Sequence, residues 1–462
     1  MPGVAMDAFT KLEAQSEQLA AAIKSYIKHR RDVESSDQLR ANTDANKEVN
    51  RTKSAIHAGM ANIKTLLGGP GELLQDLARQ VEVVACLRWL AEYQILACIP
   101  AEGSMAIQDL ADLAGVPEIQ LRRVIRLMGT SGFLQEPVSN YVSHTPLSVQ
   151  FVTNQSWLDA AVFMAELAAP AALHMPTATH RFGGSRHPTE TAYSLALNTL
   201  QPFGAAIQER PKLGRQWSAY LHHVVGLHQE KEIAEMLSQL KWSSLGNAFV
   251  VEVGAQSTSM AHHLAKKFPA LHLIVQIDHS RASTLNPDYL WPGEMMNGLA
   301  RDFTAQLDPE SSDRPSSASS RITVTYRSAG MPQPVVDAAV YILHLPVLST
   351  NSAAGAEGMD IVKTELQDYL GILRATGGIL LIPTANLLPE PGSLCGSHFE
   401  AVARARDLSF LQLANEGEME MTELLGAIET TRDTLGRLVI TNQLRSHNGL
   451  TVCLTLKHET FC

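Results

Sequence analysis

Two side chains that could do chemistry follow predicted buried strands in the second half of the sequence. Arg327 ends the segment ITVTYR, and His344 follows the segment VYIL. Ligands of open α/β sheets gather at the carboxyl ends of such strands. A guanidinium there can donate charge-assisted hydrogen bonds to a substrate carbonyl, and an imidazole can move a proton near neutral pH. The alternatives are a surface arginine paired with an acid and a buried histidine with satisfied hydrogen bonds.

The histidines and cysteines do not have the spacing of a metal site. His262 and His263 are adjacent on a predicted helix and lack further ligands at a metal-binding spacing. The five cysteines include no CxxC pair, so we expect the reduced thiols of a cytoplasmic protein. We predict neither a metal nor a disulfide framework.

Composition limits the function classes. The 462 residues are 45% hydrophobic and 18% charged, which excludes global disorder. The formal net charge of −10 argues against a nucleic-acid partner. No run approaches the roughly 18–20 uncharged apolar residues of a membrane span. The first residues, MPGVAMDAFTKLEAQ, lack the apolar core of a signal peptide. We therefore expect a cytoplasmic protein with neither a nucleic-acid nor a membrane partner.

The first segment, residues 1–70, is predicted to be a polar helical arm. Leu19, Ile23 and Ile27 recur every four residues, and the glycine- and proline-bearing stretch at 67–71 closes the segment. A single arm buries little apolar surface alone. We therefore expect it to lie on a partner surface or on a second subunit.

Residues 71–155 have the pattern of a winged helix. Two short helices and a turn precede VSNYVSHTPLSVQFV, which alternates like a strand pair. A DNA-binding module would present a basic face, but Arg122, Arg123 and Arg126 are balanced by nearby acids. We expect a packing and dimerisation module, so that the partner of the chain is a second copy.

The remaining sequence predicts two further segments. Residues 156–245 are expected to form a helical bridge that contributes to a substrate pocket. Residues 246–462 alternate between strands and helices, as in a doubly wound sheet, and end in the antiparallel pair RLVITNQL and LTVCLTLK.

Three segments lie along this framework in a familiar order: TAYSLALNT, VVEVGAQSTSMAHHLAKKFPALHLIVQ and GGILLIPTANLLPEPGS. With the winged-helix pattern before them, the chain resembles the small-molecule O-methyltransferases of plants and fungi over most of residues 75–460. The resemblance implies a mixed fold: an all-α arm and a winged-helix dimerisation domain, then an α/β Rossmann-like class I methyltransferase fold. It also implies a homodimer and a site for S-adenosylmethionine.

The resemblance places a degenerate S-adenosylmethionine site at Glu252, Gly254, Asp278 and Ser328. Two glycines of the family's turn are replaced by Gln256 and Thr258, whose side chains crowd the backbone. The acid for the ribose hydroxyls is displaced by one residue, and the acid on the adenine side is a serine. We predict that no cofactor is required and that S-adenosylmethionine is at most a non-methylating occupant.

The general base of the family is also replaced. Its histidine position falls on Leu348, which cannot accept a proton, and one acid that orients it falls on Ala385. The second such acid matches Glu420. His344 is the candidate for a relocated base.

The resemblance implies a wall for the substrate pocket. The matching positions, one of them the replaced base, are Trp157, Phe163, Met164, His174, Trp217, Leu221, Val224, Leu348, Phe410, Leu411 and Asn415. His223 stands within one residue of this face and is a third catalytic candidate, after Arg327 and His344. For the apolar positions, ordinary core packing is the alternative.

The loss of the base together with the glycine turn favours a resemblance to the O-methyltransferase-like pericyclases of fungal pyridone-alkaloid pathways. This resemblance implies dehydration of a pyridone alcohol to a quinone methide, followed by a stereoselective hetero-Diels–Alder or Alder-ene cyclisation. Arg327 would activate the pyridone carbonyl. Two alternatives stay open: a methyltransferase with a relocated base, and a catalytically dead methyltransferase-like scaffold.

Overall fold

The computed structural model describes residues 2–35, 41–225, 230–246, 248–255, 257–277, 321–345, 355–384, 387–389, 398–446 and 451–461. The chain divides into two compact units. The sheet unit comprises Met1–Leu66, Leu227–Asp407 and Glu416–Cys462, and the helical unit comprises Leu67–Gly226 and Leu408–Asn415. The finer boundaries at 70, 155 and 245 stay predictions.

The N-terminal arm consists of two helices, α1 (Pro2–Ser35) and α2 (Ala41–Leu67). Asn62 of α2 donates to the Gln15 side chain over 3.1 Å, so the helical arm consists of two helices that pair as a hairpin. Ile23 and Ile27, both expected to seek a partner surface, are 40% and 43% exposed.

The helical unit begins with a winged helix. Its elements are α3 (Pro70–Glu92), α4 (Ile95–Cys98), β1 (Met105–Ala106), α5 (Ile107–Ala114), α6 (Glu118–Thr130), β2 (Leu134–Gln135) and β3 (Tyr141–His144). The strands form a small sheet in the order β1-β3-β2. Leu90, Leu110 and Leu121 are fully buried in its core.

The predicted second strand of the wing is wrong. A helix, α7 (Pro146–Thr153), starts directly after β3. The Thr145 hydroxyl accepts the backbone N–H of Ser148, and Pro146 occupies the first helical position, where its missing N–H costs no hydrogen bond. The helix cap at Thr145 and Pro146 therefore outweighs the strand-like alternation of apolar residues, and the segment forms a helix.

The helical bridge follows as α8 (Gln155–Phe163), a π-helical turn (Met164–Ala168), α9 (Ala169–Phe182), α10 (Ala192–Ala196), α11 (Phe203–Glu209) and α12 (Pro211–His223). The stretch Gln155–Phe182 is long and apolar enough to cross a membrane, and 44% of its most apolar window is buried within the protein. The core helix of a folded domain has the same properties, so this feature is weak support for a membrane span.

The sheet unit contains α13 (Glu230–Leu237), a 3-10 turn (Trp242–Leu245), β4 (Phe249–Ala255), α14 (Ser259–Lys267), β5 (His272–Ile277), β6 (Ile322–Tyr326), β7 (Val340–Leu343), α15 (Gly355–Thr376), β8 (Ile379–Pro383), α16 (His398–Ala414), α17 (Met421–Thr430), β9 (Gly436–Arg445) and β10 (Val452–Thr460). The last turns of α16 belong to the helical unit.

The seven strands lie in the order β6-β5-β4-β7-β8-β10-β9. The strands β4 to β8 are parallel, and β10 is antiparallel to β8 and β9. Val250 and Val251 of β4 belong to the two separate apolar clusters that cover the opposite faces of the sheet. Helices on both faces explain the uninterrupted apolar run of this strand. The predicted fold, an all-helical N-terminal part followed by a class I methyltransferase-like α/β domain, is confirmed by this order and by the comparisons below.

Candidate functional site

The predicted cofactor turn follows β4, next to the end of β7. Glu252 is 2% exposed, and its Oε1 lies 3.1 Å from Nε2 of His344. The backbone N–H of His344 donates to the Val253 carbonyl over 2.9 Å, which continues the pairing of the two parallel strands. The structure therefore brings together one predicted cofactor residue and one predicted catalytic residue, and each supplies a hydrogen-bond partner to the other.

The backbone at Gly254 requires glycine whether or not a ligand binds there. Its φ is +70°, and a Cβ atom built there would lie 3.1 Å from the His344 carbonyl oxygen. The left-handed backbone and the close approach of β7 both disfavour a side chain. The glycine that survives from the turn is thus needed by the packing of these two strands.

Arg327 lies in a buried ion pair. Its Nη1 and Nη2 atoms lie 2.9 and 3.0 Å from the two carboxylate oxygens of Glu365 on α15. The same guanidinium donates to the Met331 carbonyl, and Glu365 also accepts the Gly330 N–H over 2.7 Å. The two side chains are 5% and 3% exposed. This bidentate contact ties the end of β6 to α15.

Glu365 was missed by the sequence analysis. It lies 38 residues after Arg327, on a helix with charged and apolar residues on every turn. Nothing in the spacing distinguishes it from a surface acid. The sequence suggested, as one alternative, that Arg327 pairs with an acid. That pair was expected at the surface and without a named partner, whereas the observed pair is buried.

The remaining positions carried over from the family are dispersed. Ser328 is exposed, and Thr258 precedes α14 as its N-cap residue. Glu420 caps α17, where it forms a capping box with Glu423. Asp278, Leu348, Gln256 and Ala385 lie outside the described residues.

The described residues fit S-adenosylmethionine poorly. The Glu252 carboxylate is hydrogen-bonded to His344, and Ser328 offers a hydroxyl where the family has an acid. Gly254 keeps the turn, but that turn is accounted for by the neighbouring strand. We derive no reaction step through this cofactor.

The helical unit contains an aromatic cluster that includes three predicted wall residues. The Trp217 ring lies 5.2 Å from Phe163 and 5.8 Å from Phe410, measured between centroids. Phe203 and Tyr220 join the cluster, with centroids 5.0 Å from Trp217 and 4.8 Å from Phe163 respectively. All five rings are buried. Their contacts are those of a core, and a role in holding substrate stays a prediction.

Burial also governs titration in this cluster. It raises the pKa of Tyr220, and the side-chain hydrogen bond with Ser409 lowers it by less. The phenol is therefore neutral near neutral pH. Tyr220 and Phe203 were not among the predicted site residues, although the spacing of Trp217 and Tyr220 places both rings on one face of α12.

His223 lies at the C-terminal end of α12. Its Nε2 lies 2.8 Å from the Ser156 hydroxyl, and its ring stacks on Trp157 at 3.7 Å between centroids. Trp157, a predicted wall residue, and His223, a predicted catalytic residue, are therefore direct neighbours. The next residue, Val224, is 38% exposed.

The other predicted wall residues are spread over the helical unit. The His174 Nδ1 lies 2.9 Å from the Pro170 carbonyl oxygen. Asn415, at φ 57°, donates through Nδ2 to the carbonyls of His187 and Glu190. Met164 and Leu221 are half-buried, and Leu411 is 46% exposed. The hydrogen bonds of Asn415 fasten the end of α16 to the loop before α10.

No group of three or more histidine, cysteine, aspartate or glutamate side chains in the described ranges could hold a metal ion. Cys86, Cys98 and Cys453 are free thiols. Burial raises the pKa of the Cys453 thiol to about 12, so this group is a neutral core side chain.

Comparison with known proteins identifies the family. A profile described as the N-terminal domain of the trypacidin cluster transcriptional coactivator tpcD matches residues 9–68. The notoamide biosynthesis cluster transcriptional coactivator notR of Aspergillus sp. (strain MF297-2) is 85% identical and covers 100% of both chains. The transcriptional coactivator nsrH of Aspergillus novofumigatus is 43% identical over 98% of this chain and 99% of its own. The chain belongs to this family of cluster transcriptional coactivators.

Solved structures share the fold at much lower identity. The mitomycin 7-O-methyltransferase MmcR has a TM-score of 0.57 at 16% identity and covers 84% of this chain and 98% of its own. LepI in complex with S-adenosylmethionine has a TM-score of 0.60 at 15% identity and covers 96% and 100%. Such low identity establishes an O-methyltransferase-like fold and no activity.

The predicted pericyclase function is wrong. A relative that is 85% identical along the whole chain is named as a transcriptional coactivator, whereas the enzymes share only the fold. The roles assigned to Arg327, His344 and His223 in pyridone chemistry depended on that function. The relatives support the scaffold alternative better than the pericyclase.

Proposed function

We propose that this protein is a transcriptional coactivator of a biosynthetic gene cluster, built on a methyltransferase-like fold. The observation that carries the proposal is the 85% identity to notR over the full length of both chains. The matching N-terminal domain, which forms the α1–α2 hairpin, is the part whose profile bears the coactivator description.

We propose further that it reaches promoters through a DNA-binding protein rather than through its own winged helix. In α6, Arg122 pairs with Glu118, and Arg126 forms a two-pronged contact with Glu136 over 3.0 and 3.2 Å. Pairing neutralises these cations, and the net charge of −10 opposes binding to phosphates. Arg123 is exposed and forms no ion pair with any described residue, so the helix that would enter the major groove presents one unpaired cation rather than a basic face.

A homodimer fits the surface of the helical unit. Leu73, Leu74, Leu77 and Val81 of α3 are 60%, 67%, 49% and 64% exposed. Their spacing places Leu73, Leu77 and Val81 along one side of the helix. We call these four residues the α3 face. An apolar helical stripe that pairs with its own copy is the simplest closed assembly.

The coactivator function requires that part of the protein enter the nucleus, beyond the cytoplasmic location predicted from composition. S-adenosylmethionine as a non-methylating occupant is retained as a proposal. It is supported by the shared fold with LepI, whose solved complex holds this molecule, and opposed by the hydrogen bond between Glu252 and His344.

The test is deletion of the gene in its native host, with sequencing of total RNA. Transcripts of one contiguous biosynthetic cluster should fall at least about tenfold, and the intact gene should restore them. Chromatin precipitation of the tagged protein should recover the promoters of that cluster only while the cluster's DNA-binding regulator is present. Unchanged transcripts with loss of one metabolite would instead indicate an enzyme.

A further inference from the structure

The helical unit contains a cleft of about 490 Å³ that none of the predicted site residues lines. Its walls come from the end of α3, the turn after it and α4, from α7 and α8, from the π-helical turn and from the start of α12. This volume lies within the roughly 300–1,000 Å³ typical of small-molecule sites. π-Helical turns are frequent beside such sites.

The charged side chains of the cleft largely neutralise one another. Arg215 contacts the buried Asp159 through Nε–Oδ2 at 2.6 Å and Nη2–Oδ1 at 3.2 Å. Arg88 Nε lies 3.3 Å from Oε1 of Glu166 in the π-helical turn. The two other charged lining residues, Lys212 and Glu92, are exposed and opposite in sign. The lining thus has three cations and three anions, and favours a ligand without net charge.

One buried polar side chain in the cleft lacks a partner. Gln216 is 4% exposed and lines the cleft, and its side-chain amide makes no hydrogen bond with any residue that the structure describes. The amide atoms of Gln216 are not among the fully buried unpartnered side-chain atoms of the described residues, so they open onto the cleft, where a ligand can replace water as their partner. The Gln216 side chain has donors and an acceptor side by side, so its natural complement is another amide.

Apolar side chains form another part of the wall. Leu96, Phe151, Leu158 and Val162 line the cleft, and Leu96 is buried while the other three are half-buried. These apolar side chains beside a buried, unpartnered amide give a small organic molecule both apolar contact and one point that fixes its orientation.

We propose that this cleft binds a small uncharged organic molecule bearing an amide or lactam, whose N–H and C=O pair with the side chain of Gln216. The proposal does not depend on the coactivator function. Gln94 and Gln155 also line the cleft but are exposed, so Gln216 is its buried amide. With a net-neutral lining, that amide selects an uncharged amide over a carboxylate and over a ketone of the same shape.

The test uses three fragments of similar size with the full-length protein: 3,4-dihydroquinolin-2-one as the lactam, 1-tetralone as the ketone, and tetralin-2-carboxylate as the anion. Ligand-observed saturation-transfer NMR titrations give relative affinities. We expect the lactam to bind at least about tenfold more tightly than the other two, the effect of one paired hydrogen-bonding group.

The matched variants are Gln216→Met and Gln208→Met. Methionine keeps the length and helix propensity of glutamine without its amide, and Gln208 is an exposed glutamine outside the cleft. Gln216→Met should lose the preference for the lactam and Gln208→Met should retain it, with melting temperatures confirming that both fold. Equal binding of lactam and ketone, no binding of any fragment, or preference for the carboxylate would overturn the proposal. So would binding of an acetylated pentapeptide amide without binding of the lactam.

Discussion

The imidazole of His344 lies 3.1 Å from the carboxylate of Glu252, at the adjacent ends of two parallel strands. A hydrogen bond between two side chains of the candidate site gives each of them a structural role. Glu252 and His344, which could be taken for remnants of a catalytic site, thus stabilise the contact between two strands.

His344→Ala should lower the free energy of unfolding by about 1–3 kcal/mol, because the hydrogen bond to the buried carboxyl group of Glu252 is lost. Cluster transcription should persist, since coactivation needs no proton transfer. Urea unfolding and transcript counts measure the two effects, and His180→Ala, an exposed histidine, is the control. Loss of transcription at unchanged stability and abundance would show that His344 does more than hold the fold.

Arg327→Ala should destabilise the sheet unit by about 3–5 kcal/mol, because Glu365 is left buried and unpaired. Arg327→Lys should recover only part of this loss, since an ammonium cannot make the bidentate contact. The double variant Arg327→Met, Glu365→Leu should be closer to the parent than Arg327→Ala. Chemical denaturation of the parent and the three variants measures these free energies of unfolding. Near-parental stability of Arg327→Ala would contradict the buried ion pair.

The buried side chain of Glu416 should make the stability of the protein depend on pH. Burial raises its pKa from 4.5 to about 7 in the folded protein. The unfolded chain releases this proton near pH 4.5 and the folded one near pH 7, so stability falls as pH rises through this window. The loss is on the order of 3 kcal/mol. Buried Glu418, whose pKa is also raised by burial and lowered by less through Arg406, acts in the same direction.

Glu416→Gln should remove most of the slope and raise stability above pH 7. Glu429→Gln, at an exposed position on α17, should leave the slope unchanged. Thermal melts at closely spaced pH values from 4 to 8 provide the comparison. A parent protein whose stability rises steadily over that range would be inconsistent with a buried neutral Glu416.

The role of the α3 face as a dimer interface can be tested by introducing a charged residue. Leu77→Glu should convert the proposed homodimer into monomers, because a carboxylate would be buried against an apolar surface. Leu200→Glu, at a residue that is 86% exposed in the helical unit, should leave the assembly unchanged. Light scattering coupled to size-exclusion chromatography reports the mass. A monomeric parent, or a Leu77→Glu dimer, would count against this face as the interface.

The sheet was predictable because its strands are long apolar runs separated by amphipathic helices, as in VVEV before the helix SMAHHLAKK. The wing was not predicted correctly, because Leu147, Val149 and Phe151 alternate like a strand. The cap at Thr145 and Pro146 was the stronger signal and was available in the sequence.

The candidate site was less predictable than the fold. That Arg327 and His344 lie at strand ends followed from the sequence, but their partners did not. Glu365 comes from a distant helix and Glu252 from a neighbouring strand, and both contacts depend on tertiary packing. The function could not be derived from these residues, because a fold that hosts methyl transfer can be retained without its chemistry.

The π-helical turn at Met164–Ala168 has a consequence for how the bridge tolerates changes in length. In this turn the Ala169 N–H reaches back five residues to the Met164 carbonyl, so the stretch holds one residue more than an α-helix would. Removing that residue would rotate everything beyond it by about 100° relative to α8. Ala171, now fully buried, would turn out of its packing. A one-residue deletion here should therefore be more harmful than a conservative substitution at any single position of the same turn.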